Sequence, residues 1–240
     1  MQTAEELHRR IRLRKATPGD YALLRPFHYA PGSPGLIARS FAFHDTAGGA
    51  RYPIAVIIYS RPTLNCRGRN QACSGYFAKI TDPKARAMSI NRNILRLSRL
   101  VVHPAYRGLG LASRIIAESL LPAGKPLIEV ISAMPQFGTL FEKNGFHRIE
   151  AKPDRERENL LAAIKDAGFG LEPLWNPEPF LDDLPRLPRE KRERIIRSSR
   201  RFMSRYRSKQ LLCSTHAAAE AIKRIRTGGS YYWRLTGRLR

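Results

Sequence analysis

The chain has 240 residues, with 43 Lys or Arg against 20 Asp or Glu, and its formal net charge is +23. That length is enough for one domain with an extension, or for two small domains, around a buried core. Such a charge attracts polyanions, so nucleic acid is the first expected partner, with an acidic protein or a membrane surface as alternatives.

The first 60 residues predict a strand, a helix and a hairpin. The run IRLRK is typical of a short strand, and Thr17 with Asp20 predicts a capping box around Pro18 at the first helical position. The helix is expected to end at the loop FHYAPGSPG. Two β-rich runs, LIARSFAFHD and RYPIAVIIYS, are separated by TAGGA, which predicts an antiparallel pair.

The middle of the chain predicts strands that alternate with helices. Residues 61–93 are polar, basic and rich in turn residues, and we interpret them as an insertion with one helix after Asp82 and Pro83. The elements expected next are a strand at 94–102, a helix at 109–121, a strand at 126–132, a helix at 135–143 and a strand at 146–149. This alternation favours an α/β (α+β) fold, a mixed sheet flanked by helices, over residues 1–150.

Residues 151–240 are predicted to form a basic, mainly helical C-terminal extension. KPDRERENLLAAIKDAGFG is typical of an amphipathic helix with a glycine stop, and 17 Lys or Arg against 3 Glu follow from residue 186 onward. The arginines are interleaved with Phe202, Tyr206 and the run from Tyr231 to Trp233, and such aromatic faces suit nucleic-acid bases. The alternative is that these aromatic side chains pack against the core.

The chain after residue 102 has a pattern that suits phosphate binding. Gly108 and Gly110 permit a tight turn, after which the amides of the loop and the first helical turn point at one spot. The run Arg107-Gly108-Leu109-Gly110-Leu111-Ala112, preceded by VVHPAY, resembles the acyl-CoA-binding signature of the GNAT N-acetyltransferase superfamily. FEKNGF resembles that superfamily's closing motif, and the order of elements extends the resemblance from Ile11 to Glu150.

The resemblance implies a GNAT fold, with a mostly antiparallel sheet and a V-shaped splay between the strands that end near Val102 and Ser132. The cofactor would be acetyl-CoA or another acyl-CoA, and the implied activity is direct acyl transfer to an amine. The pantetheine arm of the acyl-CoA would lie against the amides of Val101, Val102 and His103. Its pyrophosphate would lie against Arg107, Gly108, Leu109, Gly110, Leu111 and Ala112.

Two positions depart from the superfamily's usual catalytic pattern. The usual tyrosine acid corresponds to Phe141, which has no proton to give, and the strand ILRLSRLVV has arginine and serine where a carboxylate base is usual. The remaining candidates are Glu129 as a base, Ser132 as a group that orients the substrate or bonds the thiolate, and the pair His28 and Tyr29 as base and acid. The structural alternatives are an ion pair for Glu129 and surface packing for the His-Tyr pair.

Cysteine usage and hydropathy indicate a cytoplasmic protein without a membrane segment. Three cysteines cannot all pair, no basic-then-apolar leader opens the chain, and the longest apolar run is far shorter than the about 20 residues that cross a bilayer. Cys66 and Cys73 lie seven apart, but no histidine or second cysteine pair completes a tetrahedral set. We therefore predict no metal.

Two narrower resemblances concern the acceptor. The run LNCRGRN…INRNILRLSRLVVHPAYRGLG is similar to the predicted acetyltransferase domain fused to ABC-type ATPases; this sequence has no GxxxxGK[ST] motif, which leaves a separate partner ATPase open. The chain also resembles the bacteriophage Mom family, GNAT-like proteins that modify adenine in DNA. In that resemblance His28, Tyr29, Arg107 and Ser132 fill equivalent places, and a base modifier extrudes its target from the duplex.

Two hypotheses follow. The first is an acyl-CoA-dependent N-acyltransferase whose acceptor is nucleic acid or a nucleic-acid-associated amine, with Mom-like adenine modification as its sharpest form. The second is a non-catalytic GNAT-fold protein that binds nucleic acid through the basic extension. The acyl group, the acceptor and the oligomeric state stay open.

Overall fold

The computed structural model describes residues 4–28, 32–45, 52–132, 138–149, 154–170, 172–174, 176–204, 214–227 and 230–239. The chain divides into two compact units, Met1–Glu150 with Ser230–Arg240, and Ala151–Gly229. The described strands are β1 (Ile11–Lys15), β2 (Ile37–Asp45), β3 (Pro53–Ser60), β4 (Ile94–Val102), β5 (Leu127–Ser132), β6 (His147–Ile149) and β7 (Ser230–Leu235). The described helices are α1 (Ala4–Arg10), α2 (Pro18–Leu24), α3 (Arg67–Ala72), α4 (Pro83–Asn93), α5 (Leu111–Ala123), α6 (Gly138–Lys143), α7 (Arg155–Asp166), α8 (Pro177–Asp183), α9 (Arg189–Ser204) and α10 (Ser214–Thr227).

The first unit is built on one seven-stranded sheet, in the order β1-β2-β3-β4-β5-β7-β6. Among the described strands β4 and β5 run parallel, and the other neighbours are antiparallel. Alternate side chains of β3 point to opposite faces. Ile57 packs into the cluster that contains Ile115 of α5, while Val56 and Ile58 pack with Leu24 of α2. The mixed, mostly antiparallel sheet with helices on both faces confirms the predicted α/β class.

The capping box predicted at the start of α2 is present. Thr17 Oγ1 accepts from the Asp20 amide at 3.2 Å, and Asp20 Oδ2 accepts from the Thr17 amide at 2.7 Å. His44 Nε2 lies 2.9 Å from the second oxygen of that carboxylate. Burial by itself raises the pKa of Asp20, but the hydrogen bonds from Thr17 and His44 outweigh it and lower the pKa. The cap therefore fixes α2 against β2.

Residues 230–235 correct the predicted extension over 151–240. They form β7, which pairs with β5 on one side and with β6 on the other, so they belong to the first unit. Tyr231 is 5% exposed and Tyr232 is 0% exposed, so both rings are part of the sheet and do not present faces to bases. Aromatic residues are enriched in strands, where both faces of a central strand can be buried.

The second unit is helical and has its own core. Leu160 and Ile164 of α7, Phe180 of α8, Ile195 of α9 and Ile222 of α10 belong to one buried cluster. Phe202 is also buried in it, which corrects the prediction that this ring is offered to bases, and Tyr206 lies outside the described residues. None of the helices that the structure describes is long and apolar enough to span a bilayer.

Candidate functional site

A cleft opens where β4 and β5 separate. The two strands pair only from Ile94 with Leu127 to Leu97 with Val130, although both continue beyond those residues. The separation coincides with a register shift against β3, at which Ser98 is the extra residue. A β-bulge bends its strand and increases its twist, which explains why β4 leaves β5 here. The resulting cleft has a volume of about 640 Å³.

The free edge of β4 offers backbone groups to the cleft, but not all those predicted. The His103 amide donates to Ile54 O of the β3 segment at 2.9 Å, so it is not available. Strand amides alternate between the two sides, so the Val101 amide also points toward β3 and the Val102 amide toward the free edge. Of the three amides predicted to hold a pantetheine arm, Val102 alone faces the cleft. The prediction for Val101 and His103 is corrected on this ground.

The glycine loop forms the other wall. Gly108 and Gly110 have φ of 81° and 73°, a left-handed conformation that glycine adopts without strain, and both line the cleft. A Cβ added to either would meet no protein atom within 4 Å, so these glycines leave open space beside the backbone. Gly110 is the N-cap of α5, whose first helical bond is Arg114 N to Gly110 O. The amides before Arg114 therefore lack helical partners and suit an anion.

The predicted cofactor residues are partly brought together. Those that line the cleft are Val101, Val102, Arg107, Gly108, Gly110, Leu111 and Ala112. His103 is instead packed edge-on against Phe27 at 4.9 Å between ring centroids. The Leu109 carbonyl lies 2.8 Å from Nε2 of His8, on helix α1, an element that sequence reasoning missed. Leu109 and His103 thus support the loop from behind and do not line the cleft.

Arg107 connects three segments at the rim of the cleft through hydrogen bonds. Its Nε donates to Val102 O and its Nη2 donates to Phe27 O, each at 3.2 Å. These bonds connect the glycine loop to the end of β4 and to the chain that follows α2. The side chain is exposed, so its charge stays at the mouth of the cleft.

Two candidate catalytic residues line the cleft, and so does Phe141, which takes the place of the usual tyrosine acid. His28 follows the 3₁₀ turn after α2, and Ser132 ends β5 opposite Ser230. Phe141 lines the cleft from α6 and packs on Tyr232, with 5.1 Å between ring centroids. Tyr29 lies outside the described residues. The geometry therefore brings His28 and Ser132 to one cavity, without a tyrosine at position 141.

Glu129 does not line this cleft, and the structure corrects its prediction as a base. Its side chain is 0% exposed and accepts from Nε and Nη2 of Arg69, both at 2.9 Å. Arg96 Nη2 donates at 2.6 Å and the Tyr231 hydroxyl at 3.0 Å. Burial and the neighbouring carboxylate raise the pKa of Tyr231, which keeps it a proton donor in this bond. The carboxylate is saturated and shielded, so its role is structural.

Arg69 was not singled out from the sequence. It lies on α3 of the insertion, its residue exposure is 0%, and it reaches Glu129 on β5. No local pattern marks one arginine among the 43 basic residues as buried. The insertion is thus fastened to the sheet by a buried ion pair.

The two cysteines of the insertion cap the same short helix. Cys66 is the N-cap and Cys73 the C-cap of α3, and both are free thiols. Burial raises the pKa of Cys73, although nearby Arg69 opposes the shift. Among the side chains that the structure describes, no group of three metal-ligating residues converges.

The described charged side chains that line the cleft are all positive. Three cations line it, Arg99 from β4, Arg107 from the glycine loop and Lys143 from α6. No Asp or Glu belongs to the described lining. Its floor is apolar, from strand residues such as Leu97 and Val130. The cavity is therefore suited to a ligand that has both negative charge and an apolar chain.

The chain is similar in structure, but not detectably in sequence, to known proteins. No family model matches the chain, and no curated protein matches it in sequence. A GNAT family N-acetyltransferase, YhbS from Escherichia coli in complex with CoA, is 16% identical over 57% of this chain and 69% of that chain, with a TM-score of 0.37. Mutant forms of the spermidine/spermine N-acetyltransferase SpeG from Vibrio cholerae are 14% identical over 58% and 81%, with a TM-score of 0.39. A GNAT family acetyltransferase from Brucella melitensis in complex with acetyl-CoA is 16% identical over 60% and 90%, with a TM-score of 0.37.

Proposed function

We propose that this protein is an acyl-CoA-dependent N-acyltransferase. The observation that carries the proposal is the meeting, in one cleft, of a free strand edge and a left-handed glycine loop that begins a helix. The strand edge suits a chain with amide groups, and the helix N-terminus suits a pyrophosphate. An acyl-CoA has both parts in that order.

The residues that would hold the donor follow from the geometry. Val102 offers its backbone to the pantetheine arm, and the amides of Leu111 to Ser113 with the loop at Gly108 and Gly110 offer theirs to the pyrophosphate. The bound thioester supplies an activated acyl group. The protein contributes proximity, because it orients donor and acceptor in one cleft.

Catalysis is proposed to depend on His28 and Ser132, the two predicted groups that line the cleft. An imidazole titrates near neutral pH and is suited to accept the proton of the attacking amine. A hydroxyl at the end of β5 is suited to donate to the thiolate as it leaves. Tyr29 stays a candidate acid by its sequence position beside His28.

The acceptor is proposed to be nucleic acid or an amine associated with it. In the first unit, four cations converge at the sheet end opposite the cleft, which we call the distal basic patch: Arg39, Arg61, Arg92 and Lys125. Lys125 Nζ donates to Arg92 O at 2.9 Å, and partial burial together with the three arginines lowers its pKa. None of the four pairs with an acid in the described part of the chain, so the patch is free to attract phosphates.

The second unit independently supports a nucleic-acid partner. Arg197, Arg200 and Arg201 are exposed on α9 at a spacing of three and four residues, which places them on one side of the helix. Within the described residues they form no ion pair, whereas Arg194 is paired with Asp166 at 2.7 Å. Exposed arginines on one helix face that form no ion pair are suited to a phosphate backbone.

The test is to incubate the protein with acetyl-CoA and either DNA or RNA, and to measure release of the CoA thiol together with the nucleoside masses. The proposal predicts thiol release that requires nucleic acid and an acylated nucleoside, adenine in the Mom-like form. A Ser132→Ala variant is expected to lose most of that turnover. If acetyl-CoA binds but no nucleic acid promotes release, the acceptor proposal is wrong. If acetyl-CoA does not bind, the non-catalytic hypothesis replaces the enzyme.

A further inference from the structure

The charge of the cleft limits which amines can enter it. Arg99, Arg107 and Lys143 line it, and no acid does so among the described residues. The neighbouring segments 29–31 and 133–137 read YAP and AMPQF, which contain no Asp or Glu. Like charges repel, so three lining cations without an acid favour a neutral or anionic group over a protonated amine in this cleft.

Arg99 is a cation of the cleft whose bonds to protein are all to carbonyl oxygens and whose charge no described acid compensates. Its Nη1 donates to Ser98 O at 2.7 Å, and its Nη2 donates to Ser33 O at 3.1 Å and to Gly32 O at 3.4 Å. Its Nε is buried without a partner. Every partner is a neutral carbonyl, so the guanidinium keeps its full charge. Arg96, three residues earlier on β4, instead forms an ion pair with Glu129.

The location of Arg99 places this charge beside the reacting region. It follows the bulge at Ser98, where β4 leaves β5, and it is on the strand that borders the splay. Arg107, by contrast, lies in the glycine loop that is suited to the donor's pyrophosphate. The two arginines therefore serve different parts of the cleft.

We propose that Arg99 determines acceptor specificity by attracting a phosphate, and that the acceptor is an amine uncharged near neutral pH on a phosphate-bearing molecule. This chemistry belongs to a free nucleotide or to a nucleic-acid strand, and it excludes cationic polyamines. The inference rests on the proposed acyltransferase function.

The absence of a carboxylate base among the described lining residues agrees with such an acceptor. The lone pair of a neutral amine attacks the thioester carbon, the C–N bond forms and the C–S bond breaks. The nitrogen then loses one proton and the thiolate sulfur gains one, so the products are an amide and free CoA with no net proton release. A protonated amine would first have to lose a further proton, so it would need two proton acceptors where a neutral amine needs one such as His28.

The test compares KM values for a single-stranded oligonucleotide, a free nucleotide and spermidine, measured by thiol release with acetyl-CoA as donor. Arg99→Gln is expected to raise KM for the phosphate-bearing acceptor about tenfold, since a charge-assisted contact is lost. Arg99→Lys keeps the charge, so its KM is expected to lie between those of the parent and Arg99→Gln. Arg14→Gln removes the same charge from an exposed position of β1 and is expected to leave KM unchanged.

Salt dependence separates recognition from support of the loop at Gly32 and Ser33. If Arg99 attracts a phosphate, the slope of log KM against log salt for the oligonucleotide decreases by about one in Arg99→Gln. Loss of a purely structural contact would not change that slope. The free nucleotide, compared with the strand, identifies which source of phosphate is preferred.

Two results would overturn the inference. One is spermidine acetylation as efficient as that of the phosphate-bearing acceptors; the other is an unchanged KM and salt slope in Arg99→Gln. Calorimetric titration of acetyl-CoA into parent and variant keeps the two proposals apart. If the parent binds acetyl-CoA and either of these results is found, the proposed acceptor class is wrong but the acyltransferase proposal stands. If the folded parent does not bind acetyl-CoA, the proposed function itself is wrong.

Discussion

Replacing Glu129 by Gln is expected to destabilise the first unit severely, because it breaks a buried ion pair and leaves its partner charged. Glu129 is 0% exposed, and the side chain of Arg69 is 1% exposed. The amide of Gln keeps the shape but removes the charge that compensates the buried guanidinium of Arg69. Removing one partner of such a pair costs about 3–5 kcal/mol, a large part of the about 5–15 kcal/mol that stabilises a typical protein.

The assay is urea unfolding followed by circular dichroism, with Glu118→Gln as the matched control. Glu118 makes an i,i+4 pair with Arg114 at 2.6 Å, and its side chain is 36% exposed. Such an exposed helical pair contributes about 0.3–0.5 kcal/mol, so the same substitution there is expected to cost little. The contrast between the two variants measures what burial adds.

A second variant keeps the prediction testable if Glu129→Gln does not fold. Arg69→Met combined with Glu129→Leu removes both buried charges, and it is expected to be more stable than Glu129→Gln, which leaves the buried guanidinium of Arg69 without a counter-charge. The reasoning is refuted if Glu129→Gln unfolds within about 1 kcal/mol of the parent. A stable Glu129→Gln that binds acetyl-CoA and has lost turnover would restore this residue as a base.

Four other substitutions test separate parts of the fold. Asp20 has a lowered pKa, so its contribution to stability is fully present above about pH 4 and is lost as pH falls through the lower folded value. Asp20→Asn is therefore expected to cost about 1 kcal/mol at pH 7 and progressively less as pH falls below about 4, measured by urea unfolding across pH. Gly68→Ala places a Cβ 2.3 Å from the Tyr231 ring and is expected to cost about 1–3 kcal/mol, whereas Gly19→Ala in α2, with its nearest contact at 3.6 Å, is expected to stabilise by about 0.5–1 kcal/mol. Ser199 has a hydroxyl that is buried without a partner, so Ser199→Ala is expected to raise the unfolding free energy by about 1 kcal/mol, and an equal loss would contradict that description.

Local patterns were sufficient for much of the first unit. The capping box at Thr17, the antiparallel β2 and β3, and the strand Ile94–Val102 all depend on neighbouring residues, and the structure has them. The left-handed glycines also follow from a short pattern, since the motif requires a tight turn before a helix. These features depend on contacts close in sequence.

Long-range pairing explains what the sequence did not predict. β7 joins the sheet next to β5, about 100 residues earlier in the chain, and a run such as Tyr231 to Trp233 suits either a strand or an exposed stacking surface. Likewise the position of Glu129 on a strand was predictable, but its burial depends on Arg69, 60 residues away. The Val101 and His103 amides were misassigned because the side to which an amide points depends on the register with β3.

Calorimetric titration of acetyl-CoA into the parent and two glycine-loop variants tests whether the glycine loop binds the donor. Gly108→Asp with Gly110→Asp puts carboxylates beside the proposed pyrophosphate position, while Gly108→Asn with Gly110→Asn has nearly the same shape and also tolerates positive φ, but carries no charge. The account predicts binding by the parent, no detectable binding by the aspartate variant, and measurably stronger binding by the asparagine variant than by the aspartate one. Equal acetyl-CoA affinity in all three folded proteins, or no binding by the parent, would contradict the assignment of this loop as the donor site.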